Sequence, residues 1–579
     1  MTDFVDEKRE LSELELPVTT KRKDNKKSHL VKHLLSTLLV GGLFYLTTNG
    51  FFNCHQGKET TITRFPQPEP VRPNNYFAGT NSANKIYYDD DFKNKSIEKL
   101  AGAVRIETES YDNNPRPIED LKNWIKFYKL HDYLEKTFPL FHKHLTREKV
   151  EKISLLYTWE GSNPDLKPLL LAAHQDVVPI DPSTRHLWTH DPYAGVYDGK
   201  YIWGRGVSDC KDLLIGTFEA VEQLIEDGFK PERTILFAFG NDEESTSFGA
   251  GALSEHIEKR YGKDSIFALV DEGTGVLQVD GQQIAAPSTA EKGHIDFYLE
   301  LTTPGGHSSV PPDHTSIGII SKFVTLLEAN PNKPRISSKN PFVQYLQVAY
   351  EDSDKISNSF KQDLANVDND KHAQERLIEF LSKDKSTRYA IRTSQAIDVV
   401  HGGVKSNALP EYVTLVVNQR IDIHSSLNET YERFLTHLKT IAKEFDLGIE
   451  FDGTVLSKPT ENGNFRITLG GPLEPAPVTP SSGPVWDLFS GTIKHVYDDI
   501  VNKDNDKKLK VAPFTMLGNT DTKHYWDLTK NIFRFQGNLN DPESMSSGIH
   551  SVNERLTPEE HLQVITFLYE FILNVDQAR

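Results

Sequence analysis

Cysteine is nearly missing from this chain: Cys54 and Cys210 are its only two in 579 residues. Two thiols cannot build a disulfide framework or a zinc site of four thiolates. A metal site would have to use imidazole and carboxylate, and 21 His with 83 Asp and Glu keep that route open. Basic residues are also in deficit. The 65 Lys and Arg leave a net charge of −18, which argues against nucleic acid as the general partner. Hydrophobic residues make up 37%, too few for a polytopic membrane protein. The glycine-bearing turn WGRGVSDCKD (203–212) lacks the Gly-Lys-Ser/Thr ending of a phosphate loop, so nucleotide binding is not expected there. Aromatic residues are not scarce, at 10%, and a chain of this length and composition buries a sizeable core.

One apolar run stands apart, LLSTLLVGGLFYL at 34–46, preceded by the basic group Lys21, Arg22, Lys23, Lys26 and Lys27. A cleaved signal peptide would have an unusually long charged leader, and nothing nearby suggests a domain that would bury a core helix. A signal anchor over 30–52 fits best, with a cytoplasmic tail at 1–29 and the remainder lumenal, as the positive-inside rule asks. Residues 53–94 then read as a stalk and linker, because FPQPEPVRP (65–73) carries four prolines and such a stretch resists packing. The triplets at Asn94 and Asn428 become glycosylation sequons if the domain is lumenal.

From about residue 95 the pattern is α/β. LLLAAH (169–174), TILFAF (234–239) and IFALV (266–270) read as buried, parallel strands. They end in His174-Gln175-Asp176, in Gly240-Asn241-Asp242-Glu243-Glu244, and in Asp271-Glu272-Gly273. Sites in open α/β sheets form at the carboxyl ends of strands, and here those ends deliver one His and several acids. Residues 293–455 change character. Apart from a charged helical insertion near 340–390, their order is β-α-β-β-α-β, the ferredoxin-like arrangement of a domain inserted into the first. The catalytic domain is thus expected in two parts, 95–292 and 456–579, around a mixed central sheet.

A lone acid on a loop is ordinarily a solvated one. His174, Asp209, Glu244, Glu272 and His550 taken together are the donor set that suits zinc, and a bridging carboxylate can hold two ions about 3.5–4 Å apart. Asp176 is spaced to accept the other imidazole N–H of His174. Of the neighbours Glu243 and Glu244, one can bind metal while the other takes a proton from water.

HQDVVP (174–179), GRGVSDCKD (204–212), NDEES (241–245), VDEG (270–273), GGHSSVPPDH (305–314) and GIHSVNER (548–555) resemble the two-zinc exopeptidase family of aminoacylase, bacterial glutamate carboxypeptidase and carnosinase. The likeness is collinear from about residue 95 to the end and is strongest toward its fungal vacuolar carboxypeptidases. It implies two Zn(2+) per subunit: His174 and Glu272 on one, Glu244 and His550 on the other, and Asp209 bridging. Asp271 is the competing ligand beside Glu272. Glu243 resembles the general base, Asp176 the residue orienting His174, and Cys210 a tolerated variation. The inserted domain would be a lid or dimerisation domain. His307 would stabilise the oxyanion in a partner's site, Asn407 and Arg420 would contact substrate, and Gly518 and Thr520 would lie in a substrate-facing loop. The implied activity is a zinc carboxypeptidase acting on peptides with a free C-terminal carboxylate, anchored in the vacuole membrane and a possible homodimer. The same site would also serve an N-acyl-amino-acid amidohydrolase.

Overall fold

The computed structural model describes residues 65–74, 82–504, 508–539 and 548–579. The expected tail, the anchor at 30–52 and the first part of the stalk lie outside them. Among the described residues no helix is long and apolar enough to cross a membrane.

The three apolar runs form neighbouring strands. Leu169–His174 lies between Ile235–Gly240 and Ala268–Asp271, parallel to both, with His174 opposite Gly240. Every residue of these three strands is buried, which their continuous apolar character requires. Ser154–Trp159 and Thr146–Val150 extend the sheet antiparallel on one side; Ile532–Arg534, Ser288–Glu291 and Phe514–Met516 complete eight strands on the other. The sheet is mixed. The helices Lys211–Glu226 and Pro558–Gln577 pack together against it. Pro558–Gln577 opens with a full capping box, Thr557 with Glu560.

The contact between these two helices contains buried charge. His561 sits between Asp212, which it meets through Nδ1, and Glu219, 3.2 Å from Nε2. Ser96 and Lys99 of the helix Asp90–Val104 donate to the same Glu219 at 2.8 and 2.9 Å.

The proline-rich segment does not project as a free stalk. Gln67 donates to the Val511 carbonyl (3.1 Å) and accepts from its N–H (2.8 Å). The Val71 N–H donates to Gly491 O at 2.9 Å, and Asn574 donates to Val71 O at 3.0 Å. Gly491 is necessary here: a Cβ would lie 2.5 Å from a Val71 methyl and 2.6 Å from Glu69 O. Proline removes donors but keeps every carbonyl and an extended shape, so the segment works as a strap held by specific partners. The helices Ala83–Tyr88 and Asp90–Val104 follow it, and Ile86, Ile97 and Leu100 enter the main core. The body therefore starts before residue 95.

A second sheet has six strands in the order Ala396–Gly402, Tyr412–Ile421, Gly293–Thr302, Asn464–Leu473, Gly448–Phe451, Thr454–Ser457. Its inner strands Gly293–Thr302 and Tyr412–Ile421 alternate buried and open positions, and its buried face packs on the helices Ser316–Ala329 and Leu427–Phe445. The sheet runs on past residue 455. Asn464–Leu473 inserts between the first and last strands of the β-α-β-β-α-β set. The helical insertion does not belong to this sheet. Phe342, Leu346 and Leu377 pack with Leu277, Ile284 and Ala512 of the body. The chain thus passes between body and lid near 292, 330–340, 391–396 and 473–476. Lys292 Nζ, buried at the first of these, donates to Tyr389 O and Arg392 O at 3.0 and 2.7 Å.

Candidate active site and metal centre

His174 ends its strand with its ring buried. Nδ1 lies 3.0 Å from Asp176 O and 3.3 Å from Asp176 Oδ1. Nε2 lies 3.0 Å from Asp209 Oδ1 and 3.6 Å from Glu272 Oε2. The other Asp209 oxygen, Oδ2, is 3.1 Å from His550 Nε2, which is in turn 3.0 Å from Glu244 Oε2. Asp209 thus turns one oxygen toward His174 and Glu272 and the other toward His550 and Glu244. That is the geometry of a carboxylate shared by two adjacent positions. The Asp209–Cys210 peptide is cis. Glu272, and not Asp271, faces His174. Asp271 accepts from the Glu272 N–H at 2.9 Å, and its other oxygen is buried without a hydrogen-bond partner.

The local chain explains these positions. Gly206, at φ +81°, lets the 204–209 turn press on the His174 loop, where a Cβ would lie 2.2 Å from a Val177 methyl. Asp176 is fully buried and accepts from Ser110 Oγ (2.6 Å) and from the N–H groups of Glu243 and Glu244 (3.1 Å each). One carboxylate thereby orients His174 and the acidic turn together.

The electrostatics call for a cation. Burial pushes Glu272 up to about 8 and Glu244 up to about 7, with the Asp209 charge adding to both. Burial, then Glu272, holds Glu243 well above the ordinary carboxyl range. Burial opposes ionisation of Asp209 too, but His174 and His550 outweigh it and keep that carboxyl low. His550 rises to about 11 although burial works against it, because Asp209 and Glu244 flank it. Four crowded acids compete for protons that divalent cations would replace, and the oxygen and imidazole donors suit such ions. Cys210 Sγ also lies near His174 and Glu272, but burial pushes its thiol well up and leaves it a protonated neighbour.

The lid residues are placed differently. Arg420 donates to Asn519 Oδ1 at 2.7 Å, and its charge acts on Glu243. Asn519 donates to Lys292 O at 2.5 Å. Thr520 turns inward and donates to Glu291 Oε1 at 2.8 Å, beside the fully buried Arg534. Gly518 has no atom within 4 Å of a Cβ position. His307 and Asn407 are not brought to the cluster. They share an exposed two-stranded ribbon, Gly306–His307 against Ala408–Leu409, and Asn407 O accepts from the Ser308 N–H at 3.2 Å. His307 Nδ1 accepts from the Ser309 N–H at 3.1 Å, so the neutral ring carries its proton on Nε2.

Sequence reasoning passed over Glu554 and Ser110. Glu554 has a visible signal, an acid four residues after His550 within GIHSVNER. Ser110 has none.

A buried imidazole and half-buried acids at adjacent strand ends, joined by Asp209 and the exposed His550 from two loops, define a metallohydrolase. Residues 170–574 match the family described as Peptidase family M20/M25/M40, and the chain belongs to that family. Carboxypeptidase S of Saccharomyces cerevisiae is 46% identical over 93% of this chain and 95% of its own length. The human N-fatty-acyl-amino acid synthase/hydrolase PM20D1 is 31% identical, over 83% of this chain and 87% of its own. Human carnosine dipeptidase 1 shares the fold at a TM-score of 0.57 with 15% identity, over 86% of this chain and all of that one.

Proposed function

We propose that this chain is a two-zinc carboxypeptidase that releases C-terminal amino acids from peptides. The observation that carries it is Asp209, one oxygen toward His174 and Glu272 and the other toward His550 and Glu244. Bound there, zinc would polarise the scissile carbonyl and lower the pKa of water. Glu243 takes the proton of the attacking water and passes it to the leaving amine. Asp176 keeps His174 and the acidic turn in place throughout. Arg420, steadied by Asn519, receives the substrate's terminal carboxylate. Asn407, on the same exposed ribbon as His307, joins that contact in the site of a second copy of the chain.

His307 donates from Nε2 to the developing oxyanion of a second copy of the chain. Its exposure, and the exposed edge strand Ala396–Gly402 with Val399 and Val400, support a homodimer. The apolar run at 34–46 and the basic residues before it support a membrane anchor with a lumenal catalytic body. The compartment is the vacuole, on the motif resemblance to fungal vacuolar carboxypeptidases, with processing as a route to release. Asn94 and Asn428 are both exposed, which suits glycosylation there.

Hydrolysis of N-acyl amino acids by the same site is the second reading, favoured by the likeness to PM20D1. The full chain, loaded with zinc, should be given a blocked dipeptide and a long-chain N-acyl amino acid. Higher kcat/KM on the dipeptide is expected. A strong preference for the acyl substrate would replace the first reading with the second.

A further inference from the structure

Glu554 is 1% exposed and accepts from four donors. Oε1 accepts from the N–H groups of Ser208 (3.0 Å) and Asp209 (3.3 Å); Oε2 accepts from the Gly206 N–H (3.0 Å) and Arg205 Nη1 (2.7 Å). Its own carbonyl accepts from the Gly204 N–H at 3.0 Å. The whole turn that presents Asp209 is therefore wrapped around one side chain. That side chain belongs to the loop that presents His550. The loop is tightly folded, with Gly548, His550 and Asn553 all at positive φ, and a Cβ on Gly548 would lie 2.6 Å from Glu554 N. Arg555 and Leu556, directly after it, pair with Trp203 and Ile202 just before the turn.

We propose that Glu554 is a positioning residue that fixes the shared carboxylate of Asp209 relative to His550, and so sets the affinity of both metal positions at once. This rests on the two-metal reading above. The chemistry demands a carboxylate. Four donors converge on two oxygens, so an amide at this position would turn its own N–H groups against two of them. The turn would then relax, and Asp209 with it. Because Asp209 serves both positions, the loss appears at both, whereas a ligand on one side affects chiefly its own position.

The test is calorimetric titration of zinc alone into the metal-stripped full chain, with Glu554→Gln and Glu244→Gln compared to wild type. Glu554→Gln is expected to weaken both sites by about 10–100-fold, the usual range for outer partners of metal ligands. Glu244→Gln should weaken chiefly one. A purely structural Glu554 would lower the stability of the metal-free chain and leave both zinc affinities unchanged, and that result would overturn the proposal. So would loss at one site only. Should Glu554→Gln fail to fold, Arg205→Met decides, since it removes one of the four donors: weakening of both sites supports the proposal and unchanged affinity overturns it. Wild-type protein binding fewer than two zinc ions would overturn the two-metal reading and this proposal with it.

Discussion

His561 provides a sharp test of how charge is held between the two long helices. Burial lowers its proton affinity, but Asp212 and Glu219 outweigh burial and carry the ring up to about 9. The unfolded chain offers an ordinary imidazole near pH ~6.5. A group whose folded value is raised stabilises the fold fully below the unfolded value, and that contribution fades as pH rises through the folded one. The gap from ~6.5 to about 9 corresponds to roughly 3 kcal/mol, at about 1.4 kcal/mol per pH unit. Replacing His561 with Gln keeps the volume similar but removes the titration. Urea unfolding of both proteins from about pH 6 to pH 9.5 reads the contribution of His561 together with its partners Asp212 and Glu219, since groups away from this cluster cancel in the difference. Wild type should exceed His561→Gln by up to about 3 kcal/mol near pH 6, and most of that excess should be gone by pH 9.5. A difference that stays constant across the range would mean that folding leaves the ring's proton affinity unchanged, and one that rises with pH would mean that the ring is neutral in the fold; either would refute the reasoning.

Glu243→Gln should lower kcat by about 10²–10⁴-fold while zinc content by elemental analysis stays at the wild-type level; zinc loss would exchange its role with that of Glu244. Gly206→Ala places a methyl against Val177 at a positive φ and should cost about 1–3 kcal/mol of stability together with zinc affinity, read by thermal unfolding with and without chelator. Gly491→Ala should lift the strap, because Glu69 O is backbone and cannot rotate away; faster proteolysis within 65–74 is the readout, with about 1–3 kcal/mol lost. For the same reason, a soluble fragment starting at residue 76 should be less stable than one that retains Phe65 onward.

What could be read from sequence alone divides by the range of the interaction. The central strands were legible because a fully buried strand is apolar throughout, and the acids after them are too many for a solvated loop. The strap was not. Its partners lie far off in sequence, Val511 being 444 residues from Gln67, and proline content by itself reads as solvated chain. Asn464–Leu473 was missed because Gly470, Gly471 and Pro472 interrupt the alternation that marks a strand. Glu554 shows the limit most clearly. Its residue type and place were visible, but its meaning depends on four donors more than 340 positions away. Asp271 and Glu272 are adjacent, and only three-dimensional direction separates the one facing His174 from the one facing away.

The four passages of chain between body and lid have a mechanical consequence. An arm joined by two neighbouring strands can swing about the line between them. Here the helices around Phe342 and Leu377 are bedded in the body, and Arg335, on the segment leading into them, donates to Glu429 Oε2 on the lid at 2.9 Å. Lys292 ties the end of the same insertion, at Tyr389 and Arg392, to the first crossing. The arm is a braced frame, stiff in the direction in which a two-strand arm would be soft. In the dimer proposed above, the reach from the ribbon bearing His307 to a neighbour's cluster would therefore be set when two copies assemble, not by a swing of the arm afterwards.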